Sequence, residues 1–249
     1  YLYSLCMETE LYLIACKESA VAGGRAISRN RKENPVSIKD DKYVGHHATV
    51  TGYDFTSQRA ILKRLDRYDP ESFLITEEHV KERKFRSRLI GKENMDRLLA
   101  DGAFIIDELD GTSSRAVGHY EWSVSVGYVS RLEHLAGAVF APEVNGGTLF
   151  YASRGKGNFI KDGDGERQTE LPNRDLKNAY VIFGVDCFLT KYPVHNRLVT
   201  QLGDRVRTSN SNGSCALPLG LVACGKADAL VQPLQSPWDW AAGKVFIEE

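Results

Sequence analysis

No stretch of this sequence approaches the ~20 consecutive apolar residues that a membrane-spanning helix needs, so no segment is a candidate for one. An excess of either charge is also missing: 32 Lys and Arg stand against 33 Asp and Glu, for a formal net charge of −1. Bulk attraction to nucleic acid or to an anionic membrane surface is therefore not implied, and a small, locally bound substrate fits better. Cysteine is scarce and unpatterned. Cys6, Cys16, Cys187, Cys215 and Cys224 are odd in number and widely spaced, with neither zinc-site spacing nor a disulfide framework, and read as reduced thiols of a cytoplasmic protein. Glu8 and Glu10 stand where a secretory leader would carry basic residues ahead of an apolar core, so no leader is expected. The sequence starts without Met and stops at Ile247-Glu248-Glu249 in a helix-like run, the pattern of trimmed ends. Repeats and low-complexity segments are absent. What is present is ordinary globular material: 249 residues, 42% hydrophobic, enough for a large core in one large domain or two small ones.

Helical spacing of Leu5, Cys6, Tyr12, Ala15, Cys16 and Ala26 predicts a long helix over residues 2–27, with Gly23-Gly24 as a weak point. Residues 28–47 are rich in Lys, Arg, Asn and Asp and include Pro35; they read as a mobile surface connection, either an ordinary loop or a lid over a site. Asp54 is placed to cap a helix carrying Gln58, Ile61, Leu62 and Leu65, ended by Tyr68-Asp69-Pro70. Phe73-Leu74-Ile75 reads as a strand closing on Thr76-Glu77-Glu78, and residues 81–88 as a solvated connection. Trp122, Val124, Val126 and Tyr128 alternate with Ser123, Ser125 and Gly127 in a strand pattern, followed by short strands at 136–140, 147–152 and 157–161 in an antiparallel meander. The last third carries strands at 179–183 and 227–231 and helices at 194–202, 214–224 and from Trp238. Helices and strands alternate without a strict βαβ rhythm, which points to an α/β protein of α+β type, with mixed sheets layered with helices.

The chemistry centres on Phe104-Ile105-Ile106-Asp107-Glu108-Leu109-Asp110-Gly111-Thr112-Ser113. An apolar run delivers two aspartates to its carboxyl end and then turns through glycine, an arrangement that can hold a divalent cation on one side and a phosphate on the other. Glu77 and Asp239 also sit where a strand or loop runs out, Asp239 within Trp238-Asp239-Trp240-Ala241-Ala242-Gly243, whose small residues suit a closely packed helix start. Gathered without cations these four acids would repel, so a shared site implies Mg²⁺. Two such ions can polarise a phosphate oxygen, lower the pKa of a bound water and stabilise the leaving oxygen. The N–H groups of Gly111, Thr112 and Ser113 would orient the phosphate, and the Thr112 hydroxyl could ligate metal or hold the attacking water. Cys215 and Cys224 read as core residues, and His46 and His47 as loop residues.

As a set, Val50-Thr51…Asp54, Glu77-Glu78, Asp107-Glu108-Leu109-Asp110-Gly111-Thr112, Gly213-Ser214, Ala227-Asp228-Ala229 and Trp238-Asp239…Ala242-Gly243 resemble the inositol monophosphatase family, within the wider group of lithium-sensitive, Mg²⁺-dependent phosphatases. The resemblance spans nearly the whole chain. It implies a layered α-β-α-β-α sugar-phosphatase fold with mixed sheets, a single catalytic domain over residues 1–249 built of two packed αβ halves that meet near 150–175, and a homodimer. It further implies Mg²⁺-dependent hydrolysis of a small phosphorylated alcohol, with two or three ions per site. Glu77, Asp107, Asp110 and Asp239 then become the metal ligands, joined by the Leu109 carbonyl and the Thr112 hydroxyl. Glu77 and Thr112 position the water, with Asp54 behind them. Gly111, Thr112 and Ser113 bind phosphate, while Gly213, Ser214, Cys215, Gln232 and Asp239 face the substrate. Glu108 departs from the family's proline, Gln232 from the glutamate of inositol-specific members, and Ser113-Ser114-Arg115 from the subfamily signatures. Inositol monophosphate, fructose 1,6-bisphosphate and 3′-phosphoadenosine 5′-phosphate are the candidate substrates, in that order. A non-catalytic sugar-phosphate-binding regulator and a structural dimer with incidental metal binding are the rival classes.

Overall fold

The structure, a computed structural model, describes residues 2–30, 36–38, 49–80, 83–86, 88–89, 102–184, 193–233 and 235–249. The first helix, α1 (Leu2–Arg29), buries Tyr12, Ala15, Cys16, Ala20 and Ile27 along one stripe, at the three-to-four spacing a helix requires. It runs straight through Gly23-Gly24. The sequence made that pair a weak point, whereas the fold uses it for close approach: a Cβ on Gly23 would lie 2.5 Å from Ser57 Oγ, and one on Gly24 2.6 Å from the Phe140 ring. Most of the polar connection, with His46 and His47, lies outside the described residues. Its described parts, β1 (Ser37–Ile38) and β2 (Thr49–Val50), pair antiparallel.

Helix α2 (Gly52–Leu65) is capped by Thr51 rather than by Asp54, a one-turn correction. Thr51 has the extended backbone a cap needs and accepts from Tyr53 N, while Asp54 reaches back from the third helical position to Thr51 N at 2.7 Å, completing a capping box. Strands β3 (Phe73–Thr76), β4 (Ala103–Asp110), β5 (Ser123–Ser130), β6 (Glu133–Ala141), β7 (Thr148–Ser153), β8 (Asn158–Asp162) and β9 (Gly165–Gln168) form a seven-stranded sheet in sequence order. Only β3 and β4 are parallel; the rest are antiparallel. The charged run between β3 and β4 is less solvated than its composition predicts. In the short helix α3 (Arg83–Arg86) Phe85 is buried, and buried Arg88 donates to the carbonyls of Ser72 at 2.6 Å and Asp69 at 2.8 Å.

After β4 come the single turn α4 (Thr112–Ala116) and, beyond the large sheet, β10 (Tyr180–Phe183), α5 (Pro193–Gly203), β11 (Thr208–Asn210), α6 (Ala216–Ala223), β12 (Ala229–Val231) and α7 (Pro237–Glu248). Strands β11, β10 and β12 make a second, wholly parallel sheet with β10 in the centre. One core joins α1 and α2 to the large sheet; a second joins the other face of that sheet to α6 and α7; a third joins the small sheet to Val199 and Leu202 of α5. The layers thus run α-β-α-β-α. Both faces of the large sheet are covered, which is why β4 is buried at every position and reads as a continuous run rather than an alternation. Helix α7 lies unusually close to that sheet. A Cβ on Gly137 would fall 2.6 Å from Ala242 O, so the small residues on both sides set the depth at which Asp239 enters.

Candidate active site

Parallel pairing of β3 with β4 ends at Thr76 opposite Ile106, with Glu77 N donating to Ile106 O at 3.2 Å, so Glu77 emerges beside Asp107. The β4–β5 register shifts between Asp107 and Asp110, an irregularity of the kind that re-aims side chains at the end of a strand. Carboxylate oxygens of Glu77, Asp107 and Glu108 come within 4.8 Å of one another. Burial holds the Asp107 carboxyl well above the usual carboxylate range, and Glu77, Asp110, Asp239 and Glu108 push it the same way. Glu108 is also held up, by its complete burial and then by Glu77. Such a group of hard oxygen donors fits a divalent cation, because the ion removes both the repulsion and the cost of burying charge.

Asp110 faces another way. Its Oδ1 accepts from Cys215 N at 2.7 Å and its Oδ2 from Ala216 N at 3.0 Å, Leu217 N at 3.1 Å, Ser123 Oγ at 2.9 Å and Ser214 Oγ. It therefore sits on the N-terminus of α6, where backbone N–H groups favour an anion. Burial still pushes its carboxyl up, against the pull of those donors. Asp239 occupies the third position of α7, its Oδ2 accepting from Ser236 N at 2.6 Å in a second capping box, close enough to raise Asp107.

Gly111 turns the chain from β4 into α4 with φ +82°, and a Cβ there would meet Glu121 O at 2.6 Å, so glycine is required twice over. The Thr112 hydroxyl lies 2.8 Å from Leu109 O and 3.2 Å from Asp54 Oδ1, its single proton serving one acceptor at a time. Asp54 is fully buried and accepts from both the backbone and the hydroxyl of Thr51. Ser113 Oγ is 3.1 Å from Thr49 Oγ1, and Ser114 Oγ donates to Asn212 O at 3.2 Å, tying α4 to the loop that precedes α6. Arg115 adds a third tie, its guanidinium 4.3 Å from the Tyr53 ring. Gly213 has φ +64° and opens the Gly213-Ser214-Cys215 turn onto Asp110, while Gln232 Nε2 donates to Cys215 Sγ.

The predicted residues thus fall into two adjoining groups: Glu77, Asp107, Leu109, Thr112 and Asp54 on one side, and Asp110, Gly213, Ser214, Cys215 and Gln232 on the other. Two residues escaped the sequence reading. Glu108 appeared only as a change to the turn, yet it is buried within the acidic group, and Gln58 appeared only as a helix-stripe residue, yet it donates to Glu108 Oε1 at 2.8 Å. An acid between Asp107 and Leu109, next to the apolar lead of β4, was the available signal. Cys16, Cys215 and Cys224 are free thiols.

Two sheets between three helical layers, with acids meeting at the strand ends, define a layered α/β protein with the architecture of solved inositol monophosphatases. The family model for inositol monophosphatases matches residues 7–249, and the chain belongs to that family. It is similar to a fructose-1,6-bisphosphatase/inositol-1-monophosphatase of Aquifex aeolicus, 26% identical over 243 residues covering 96% of this chain and 83% of that one. An inositol-1-monophosphatase of Bacillus subtilis is 25% identical over 241 residues, 97% of this chain and 83% of that one. The Nus factor SuhB of Escherichia coli K12 is 27% identical over 234 residues, 93% and 79% of the two chains. In structure, the extragenic suppressor protein suhB from Bartonella henselae superposes with a TM-score of 0.78 at 24% identity, over 94% of this chain and 83% of that one, which shows the shared fold. Family and relatives together support a phosphatase acting on a sugar-phosphate type of substrate.

Proposed function

We propose that the chain is a Mg²⁺-dependent phosphomonoesterase, a single catalytic domain of two packed αβ halves working as a cytoplasmic homodimer on inositol monophosphate or a related sugar phosphate. The observation that carries this reading is the approach of Glu77, Asp107 and Glu108 within 4.8 Å of one another in a largely buried setting, where uncompensated carboxylates are costly. Glu77, Asp107, Asp110 and Asp239 would hold two or three ions, with the Leu109 carbonyl and the Thr112 hydroxyl. When bound, Mg²⁺ supplies Lewis-acid activation of water and neutralises charge on the phosphate. The chain does the rest. Thr112 and Glu77 orient the attacking water, and Asp54 accepts from Thr112 and fixes its hydroxyl. The backbone N–H groups of Gly111, Thr112 and Ser113 hold the phosphate. Gly213, Ser214, Cys215 and Gln232 receive the alcohol part; Gln232 can donate to or accept from a hydroxyl.

The deciding experiment is phosphate release with Mg²⁺ from a panel holding inositol monophosphate, fructose 1,6-bisphosphate and 3′-phosphoadenosine 5′-phosphate. Turnover of the first two above the third is the expected order. Binding of a panel member without turnover would instead support the sugar-phosphate-binding regulator, a reading favoured by one observation, the relatives called Nus factors.

A further inference from the structure

The register of β3 with β4 ends at Thr76, and the bond from Glu77 N to Ile106 O follows it. The next residue, Glu78, is gripped at both ends of its backbone. Its N–H donates to Glu108 Oε2 at 3.4 Å, and its carbonyl accepts from Gln58 Nε2 at 2.9 Å. The same Gln58 amide donates its second proton to Glu108 Oε1 at 2.8 Å, and Thr76 Oγ1 donates to the Glu78 carbonyl at 2.9 Å. Glu108 is fully buried, and Gln58 nearly so, between α2 and β4. A closed ring results: the Glu108 carboxyl group, the Gln58 amide and the Glu78 backbone satisfy one another, at the position where a proline would offer no acceptor on its side chain.

We infer that Glu108 is a positioning residue: with Gln58 it clamps the Glu78 backbone and so holds the neighbouring Glu77 carboxylate against Asp107. The clamp carries on from the bond between Glu77 N and Ile106 O, where the β3–β4 register has ended. Metal ligands held by such supporting hydrogen bonds lose ~10- to 100-fold in affinity when the support is removed. The inference rests on the reading of Glu77 and Asp107 as metal ligands, but two of its readouts need no catalysis.

The test is Mg²⁺ titration calorimetry on the full chain, with amide hydrogen exchange across residues 76–80 in metal-free protein. Glu108→Ala and Gln58→Leu should each weaken Mg²⁺ binding ~10-fold or more and speed exchange at Glu78. The double variant should be no worse than the weaker single one, since both cut one ring. Glu108→Gln keeps an acceptor for Gln58 and should recover affinity to within ~3-fold of the parent. Where activity is present, the half-saturating Mg²⁺ concentration should rise more than kcat falls.

Unchanged Mg²⁺ affinity in Glu108→Ala would overturn the clamp. So would Glu108→Gln binding as poorly as Glu108→Ala, because the negative charge itself would then be at work, as a direct ligand. Additive losses in the double variant would overturn it too. If Glu108→Ala does not fold, Gln58→Leu and Glu108→Gln carry the same decision. A parent protein that turns over no phosphomonoester removes the enzymatic reading, while calorimetry and exchange still decide the clamp.

Discussion

The acid-bearing end of the large sheet and the small parallel sheet are built on opposite principles. Around β3 and β4 both faces are covered by helices, and the carboxyls of Asp107, Glu108 and Asp110 are all held above their usual range, with burial as the first cause. Around β10 the edge strands β11 and β12 are exposed or half-buried. The acid there, Asp228, is held below its usual range. Partial burial pushes it up, but Tyr180 N at 2.7 Å and Arg174 Nη1 at 3.0 Å outweigh that. One region holds carboxyls whose charged form is opposed by burial and by neighbouring acids; the other pairs its charge internally. On the proposed reading, chemistry that needs a cation would belong to the first, and contacts that vary with substrate to the second and to the turn it shares with Asp110.

The sharpest way to break this comparison is to remove charge from the first region. Asp110→Asn should lower kcat by orders of magnitude and, because its amide nitrogen cannot accept from the N–H groups that open α6, should also cost about 1–3 kcal/mol of stability, read by steady-state kinetics beside a urea melt. Full turnover would take Asp110 out of the chemistry and leave it as the cap of α6. Next in size is packing. Ile106→Ala in β4 should cost about 4–5 kcal/mol and Ile182→Ala in β10 about 2 kcal/mol, the two ends of the range for such truncations, because Ile106 packs into the large core under α1 and α2 while the strands flanking Ile182 are exposed or half-buried. Equal losses would mean that the small sheet is as tightly built as the large one.

A smaller effect separates the regions by pH. In metal-free protein, folded Asp107 and Glu108 keep protons that the unfolded chain releases above about pH 4, so stability falls as pH rises through their raised values. Asp228 has the opposite sign: its stabilisation is complete above the unfolded value and is lost as pH falls through the lower folded one. Urea midpoints of chelator-treated protein should therefore drop as pH rises above the unfolded carboxylate value, and Mg²⁺ should restore the midpoint at the higher pH. A midpoint that stays level without metal would show that these acids are not held protonated. The smallest effect lies at the shared turn. Gln232→Glu should shift kcat/KM toward inositol monophosphate over fructose 1,6-bisphosphate by a few-fold, about what one altered hydrogen bond provides. An unaltered ratio would place Gln232 away from the alcohol.

By itself the sequence determined six of the seven strands of the large sheet, missing β9, and most helices. Runs such as Phe104-Ile105-Ile106 and alternations such as Trp122 to Tyr128 encode burial directly in side-chain pattern, and the spacing in α1 and α2 encodes one buried stripe. It also carried the motifs that resemble the family, to which the chain belongs. Tertiary structure alone decided how these pieces meet. No periodicity announces that Gly23-Gly24 admits another helix, that Arg88 is buried among backbone carbonyls, or that β11 joins a parallel sheet. Likewise Glu108 meets Gln58 and Glu78 from 50 and 30 residues away, and Asp110 meets α6 more than 100 residues on. The reason is physical: pattern reports whether a side chain leaves water, while its partners depend on strand register and on how closely two backbones approach, which local sequence does not record.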